Sequence, residues 1–120
     1  MYEIVFYQDK AGTQPVKEHL AELSKRTDKD SRINYNKIND YISLLKIHGL
    51  TLREPYIKHL DGDIWELRPI RNRVLFFGHN GNEFVLVHHF IKKTQKTPQT
   101  EIDLAKKRMK DFIKRSGNNE

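Results

Sequence analysis

The spacing of apolar residues changes twice along this chain, and that change restricts the fold more than any other feature. Val16, Leu20 and Leu23 recur at helical intervals and predict a helix over residues 15–26, with Pro15 suited to its first turn. The polar run Thr27-Asp28-Lys29-Asp30 supplies N-cap candidates, and Ile33, Ile38, Tyr41, Ile42 and Leu45 form a second helical stripe that Gly49 is placed to stop. Two helices with a short polar connection make a helical hairpin. From residue 56 onward the pattern is one of short strands, over 56–60, 64–68, 73–78 and 83–91, with Asn80-Gly81 as the strongest hairpin signal. Residues 2–7 predict one more strand ahead of the helices. Thr97 as cap and Pro98 at the first helical position then open a last helix with the stripe Ile102, Ala105, Met109, Phe112 and Ile113. The order predicts an α+β domain: an N-terminal strand and helical hairpin, a largely antiparallel meander, and a C-terminal helix packed on the sheet.

A chain of 120 residues is one domain's worth, taken here as residues 1–115 with a fraying tail over 116–120. The absence of cysteine excludes disulfides and thiolate metal sites. No apolar run approaches the roughly 20 residues of a membrane span, and no leader-like segment opens the chain, so the expectation is a cytoplasmic protein with no membrane partner. The net charge is +6, and all of it sits in residues 91–115, where nine basic residues face three acidic ones. Such a concentration is the footprint of a nucleic-acid binder, set against two plainer readings, a solvated helix face or a dock for an acidic protein.

Hairpin geometry suggests where the cations gather. A two-residue turn at Asn80-Gly81 would pair Phe77 with Phe84, Leu75 with Leu86 and Arg73 with His88. A loop over 69–72 would pair Arg68 with Arg73 and Glu66 with Leu75. Cross-strand partners share a face, so Arg68, Arg73 and His88 would form one row, continued by Phe90 and Lys92. Two arginines directly opposite each other repel. Glu66, lying diagonally, can offset them structurally, and a bound phosphate can do so functionally. Adjacent His88 and His89 point to opposite faces, the wrong arrangement for two metal ligands on one strand, and no metal or cofactor is expected. Trp65 and Phe76 read as core, whereas Phe90 shares the basic face and can stack an unpaired base.

These same residues carry a family likeness. Lys58-His59-Leu60, Ile64-Trp65-Glu66-Leu67-Arg68, Arg73-Val74-Leu75 and Phe90-Ile91-Lys92-Lys93-Thr94-Gln95-Lys96-Thr97-Pro98 together resemble the HigB-like, phage Gp49-related branch of the RelE/ParE toxin superfamily. The resemblance implies a RelE-like fold and the toxin of a type II toxin–antitoxin system. It implies a helix-turn-helix antitoxin of the HigA type, held in a heterotetramer or larger complex. It also implies cleavage of mRNA on the ribosome, with the functional positions falling on Arg68, Arg73, Lys92 and Lys93. Lys96, Phe90, His88 and Glu66 are the candidate RNA contacts beside them.

Metal-free RNA cleavage uses the 2′-hydroxyl next to the scissile phosphate and needs a base, an acid and positive charge for the transition state. Arg73 is assigned to the scissile phosphate and Arg68 to its support. Lys92 or Lys93 is the candidate base or electrostatic stabiliser. A free lysine titrates near about 10.4, and clustered cations with partial burial would lower that. His88 is the rival base, and Glu66 either orients an arginine or takes the proton itself. Two other functions fit the same composition: a ParE-like gyrase inhibitor, and a non-catalytic basic nucleic-acid-binding module.

Overall fold

The computed structural model describes residues 1–117. Strand β1 (Glu3–Phe6) leads into helix α1 (Pro15–Lys25), which starts on its proline. The Asp28 carboxylate caps helix α2 (Lys29–His48) by accepting the Ser31 N–H at 2.9 Å. Gly49 ends α2 at φ 59°, its own N–H returning to the Leu45 carbonyl. A short 3₁₀ turn (Gly49–Thr51) passes into four consecutive strands, β2 (Ile57–Asp61), β3 (Ile64–Leu67), β4 (Asn72–His79) and β5 (Glu83–Ile91), and helix α3 (Gln99–Gly117) follows. The sheet order is β1-β5-β4-β3-β2, antiparallel except that β1 lies parallel to β5.

Both faces of this sheet are covered. Val16 and Leu20 of α1 and Ile38 and Leu45 of α2 pack on Ile57, Leu67, Val74, Phe76, Phe84 and Leu86. On the opposite face Ala105, with Met109 and Phe112 of α3, packs on Ile64, Leu75, Phe77, Val85 and Val87. Strand alternation sorts the two sets, and burial of this apolar area is the main stabilising contribution.

The β3–β4 register is the expected one, with Trp65, Glu66 and Leu67 opposite Phe76, Leu75 and Val74. The β4–β5 register is not. The turn holds three residues, since His79 pairs with Glu83, and Asn80 and Gly81 both take positive φ (55° and 75°). Phe77 therefore faces Val85. A bulge then makes Val87 supernumerary, so Leu75 faces His88 and Arg73 faces Phe90. One slip reverses the faces and the second restores them, which leaves Arg73, His88 and Phe90 on the α3 side of the sheet, as the simpler pairing also had it.

Two helix-end expectations change. Helix α3 starts at Gln99, and the Pro98 carbonyl accepts its first N–H groups, from Glu101 at 3.1 Å and Ile102 at 3.3 Å. The Thr97 hydroxyl does not cap the helix; it donates to the Glu66 carboxylate. At the other end Ser116 and Gly117 belong to α3, with the Ser116 hydroxyl donating to the Phe112 carbonyl, and the rest of the expected tail lies outside the described residues.

Gly49 carries two constraints at once. A Cβ there would sit 2.5 Å from the Tyr2 ring, and the backbone is left-handed; Gly62 shares the positive φ (55°) but has nothing within 4 Å. Gly62→Ala should therefore cost only backbone strain, about 1 kcal/mol. Gly49→Ala should cost at least about 2 kcal/mol, because the Tyr2 ring must also move. Urea unfolding measures both, and equal losses would mean that the Tyr2 contact carries no weight.

Candidate functional site

Helix α3 crosses the sheet over Ile64, Leu75 and Phe77 and leaves the end of the same face, around Glu66, Arg73 and Phe90, uncovered. A cleft of about 680 Å³ opens there. Its walls are Lys58 from β2, Glu66 and Arg68 from β3 and the residue after it, Arg73 and Phe90 from the facing ends of β4 and β5, and the 92–98 segment leading into α3.

Glu66 organises the floor. Its side chain is buried, at 1% exposure, beneath two guanidinium groups: Oε1 lies 3.5 Å from Arg68 Nε and 3.6 Å from Arg73 Nε. Its other oxygen accepts the Thr97 hydroxyl. Arg73 is also buried, and its Nη1 donates to the carbonyls of Asn72 (2.8 Å) and Ile70 (3.2 Å). Burial pushes the Arg73 guanidinium below its ordinary range, Glu66 opposes that, and the neighbouring Arg68 adds to it. Arg68 is half-buried and reaches Glu54 at 3.5 Å on its outer side. Two like charges thus sit side by side because one buried carboxylate lies between them and the core.

A second polar group braces, from behind the sheet, the turn whose carbonyls hold Arg73. Asn72, buried at the start of β4, donates to Asn34 Oδ1 of α2 (2.7 Å) and to the Pro69 carbonyl (3.2 Å), and accepts from His89 Nε2 (3.0 Å). The His89 ring stacks on His19 of α1 with centroids 3.6 Å apart. Burial, then the charges of His19 and His88, lower the His89 pKa to about 3. His89 therefore stays neutral and keeps a defined hydrogen bond to Asn72.

Of the residues singled out from sequence, Arg68, Arg73, Lys92, Lys96, Phe90 and Glu66 all line the cleft. Lys93 is exposed outside it, and His88 is turned under α3. There His88 Nε2 lies 2.9 Å from Glu101 Oε1, and Arg108 donates to Nδ1 at 3.3 Å, which occupies both ring nitrogens. His88 instead backs the cleft, its ring stacked with Phe90 at 5.7 Å. Lys58 and Thr97 are among the lining residues that were not anticipated as site residues. Lys58 pairs with Glu66 across the β2–β3 hairpin, a register no local signal gives, because the turn is Gly62-Asp63 and the ladder shifts between His59 and Asp61.

Glu66→Gln keeps the shape and removes the charge shared by two arginines. It should destabilise the fold by about 3–5 kcal/mol, read by denaturant titration, because the guanidinium groups are left without their counter-charge; a loss under about 1 kcal/mol would show that solvent screens the pair. His89 gives a pH prediction. Its folded pKa, about 3, is below the unfolded value of 6.5, so the unfolded chain protonates first. The associated stability is complete above pH 6.5 and drains as pH falls toward 3. His89→Gln should reduce the slope of unfolding free energy in that window by about 1.4 kcal/mol per pH unit, one proton's worth. An unchanged slope would assign the acid sensitivity to other groups.

No curated protein matches the chain. A family model described as phage-derived protein Gp49-like (DUF891) matches residues 17–110. That span runs from α1 into the second half of α3 and takes in every cleft residue named above. The family is related to the HigB/RelE-like toxins, and its members are commonly toxins of toxin–antitoxin systems. With the match covering the helical hairpin, four of the five strands and the whole cleft, the chain belongs to the Gp49-like family of phage-derived proteins.

Proposed function

We propose that this protein is the toxin of a toxin–antitoxin pair and cleaves mRNA on the ribosome by attack of the 2′-hydroxyl, without a metal. The observation that carries the reading is the cleft itself: two guanidinium groups fixed by one buried carboxylate, with Lys58, Lys92 and Lys96 around them and Phe90 on the floor. Guanidinium forks suit phosphate oxygens, and an aromatic floor suits an unstacked base.

In this reading Arg73 holds the scissile phosphate. Its Nε faces Glu66 and its Nη1 is committed to two carbonyls, which leaves Nη2 for the ligand. Arg68 grips the same or the adjacent phosphate. Glu66 has both oxygens engaged, so it orients the arginines and takes no proton. His88 is engaged under α3 and leaves the base role to a cleft residue. Lys92 fills it or, as a cation, stabilises the phosphorane-like transition state. The 2′-oxygen attacks phosphorus, the 5′-oxygen leaves with a proton, and the products are a 2′,3′-cyclic phosphate and a 5′-hydroxyl. The ribosome supplies substrate positioning, which is a large share of the rate enhancement for so sparse a site.

The partner in this reading is a helix-turn-helix antitoxin of the HigA type, joined in a heterotetramer or larger complex, and the place of action is the cytoplasm, where ribosomes meet mRNA. Among the described residues no helix is long and apolar enough to cross a membrane.

Induced expression with 5′-end mapping of cellular mRNA tests the proposal. Wild type should arrest growth and create new mRNA ends. Arg73→Ala and Lys92→Ala should each lower cleavage by about 10²-fold or more and release the arrest. Lys93→Ala, outside the cleft, should stay within about tenfold of wild type, the range of a surface phosphate contact. Arrest without new ends would replace the nuclease reading with the gyrase-inhibitor one, and no arrest would leave a non-catalytic binding module.

A further inference from the structure

The segment between β5 and α3 is held in an unusual way. Its first residue is anchored, because the Lys92 N–H donates to the Arg71 carbonyl at 2.7 Å. After that, among the described residues, no backbone N–H or carbonyl of residues 93–97 bonds to the rest of the molecule; the Thr94 hydroxyl donates to the Lys96 carbonyl, inside the segment. Residues 93–96 are all exposed. Among the described residues, the hydrogen bond that ties this stretch to the sheet is the Thr97 hydroxyl on the buried Glu66 carboxylate.

We propose that Thr97 is a positioning residue for the cleft: its hydroxyl latches the 92–98 strap to Glu66 and thereby fixes Lys96 and the adjoining wall beside Arg68 and Arg73. The proposal rests on the RNA-cleaving reading and adds a residue that reading did not use.

Three observations support it. The first is economy of bonding. A threonine before a helix-opening proline ordinarily caps the helix, yet here α3 takes its first N–H groups onto the Pro98 carbonyl, and the hydroxyl goes to Glu66. The second is the chemistry of the acceptor. A hydrogen bond to a buried carboxylate is charge-assisted and about twice as strong as a neutral one, and this carboxylate is already fixed by the core and by two arginines. The third is local stability. A segment with exposed backbone and few buried contacts opens at low free energy unless something restrains it. Lys92 and Arg73 have anchors of their own, on Arg71 and on the Ile70 and Asn72 carbonyls, whereas Lys96 has none beyond the strap. The latch therefore governs how the cleft grips RNA more than the chemistry at phosphorus.

The lysines of the strap make it testable with the purified full chain. Trypsin cutting after Lys93 and Lys96 reports how freely the strap adapts to a protease, and a strap released from the sheet should be cut faster. Thr97→Val keeps the side-chain shape and removes the hydroxyl, and Thr97→Ser keeps the hydroxyl and removes the methyl group. Thr97→Val should be cut in the strap about tenfold faster than wild type or more. Its thermal transition should fall by only the several degrees that one lost hydrogen bond accounts for, in a single cooperative step, and Thr97→Ser should stay within about twofold in strap cleavage. On ribosome-bound mRNA, Thr97→Val should raise KM by about tenfold with kcat within about threefold, and Thr97→Ser should restore KM. Unchanged strap cleavage in Thr97→Val, or a Thr97→Ser variant as loose as Thr97→Val, would overturn the latch. A loosened strap in a protein whose wild type cuts no mRNA would overturn the nuclease reading and leave the latch standing.

Discussion

A carboxylate buried between two arginines sets the character of this molecule. Glu66 lies on a central strand at 1% exposure, where an isolated negative charge would be strongly unfavourable. Removing it from water costs several kcal/mol, and the two guanidinium groups and one hydroxyl around it offset that cost. The reverse dependence is as strict. Arg68, just past β3, and Arg73, near the start of β4, crowd the same Glu66 oxygen, an arrangement that is unfavourable without a shared counter-charge. The three residues are therefore one unit. Because that unit is polar, the α3 side of the sheet divides into an apolar stretch that the helix covers and a charged end that stays open as a cleft.

Arg73 is restrained from two directions that share no residues. From the cleft side Glu66 faces its Nε; at its other end Nη1 is held by carbonyls of the turn before β4. That turn is stiffened from behind the sheet by Asn72, which joins α2, β5 and the Pro69 carbonyl through one side-chain amide. His89 completes the arrangement in its neutral form, so the hydrogen bond to Asn72 does not change through the neutral pH range. A guanidinium held at both ends loses little freedom when a phosphate arrives, which is the value of a preorganised site.

How much of this could be read in the sequence varied with the regularity of the backbone. The helices and strands were legible because apolar spacing reports them directly, down to Gly49 and the β3–β4 pairing. Glu66, Arg68 and Arg73 followed, since that hairpin has no irregularity between the residues concerned. The β4–β5 pairing was not legible. A three-residue turn and a bulge at Val87 each shift the ladder, and neither leaves a residue type that announces it. The shared face of Arg73, His88 and Phe90 came out right only because two shifts cancel. His88 and Lys93 show a different limit. One sits at a strand position on the correct face, yet Glu101 and Arg108 of a distant helix claim its ring; the other lies one residue beyond Lys92, where the chain leaves the strand and alternation stops guiding side chains. Thr97-Pro98 was ambiguous in principle, because the same dipeptide precedes a helix whether the hydroxyl caps it or serves a carboxylate elsewhere.

These contrasts divide the cleft into parts of unequal stiffness. The floor consists of buried strand residues, each fixed by the core and by hydrogen bonds of its own, and its geometry persists as long as the sheet does. Among the described residues, the wall formed by residues 93–97 has no such support and meets the floor through the Thr97 side-chain bond. In the proposed RNA-cleaving reading, a rigid floor suits the steps at the scissile phosphate, which need atoms placed to within a fraction of an ångström. In the same proposed reading, a wall that can lift suits the entry of an RNA strand. The same carboxylate serves both parts: it holds the two arginines through one oxygen and the strap through the other.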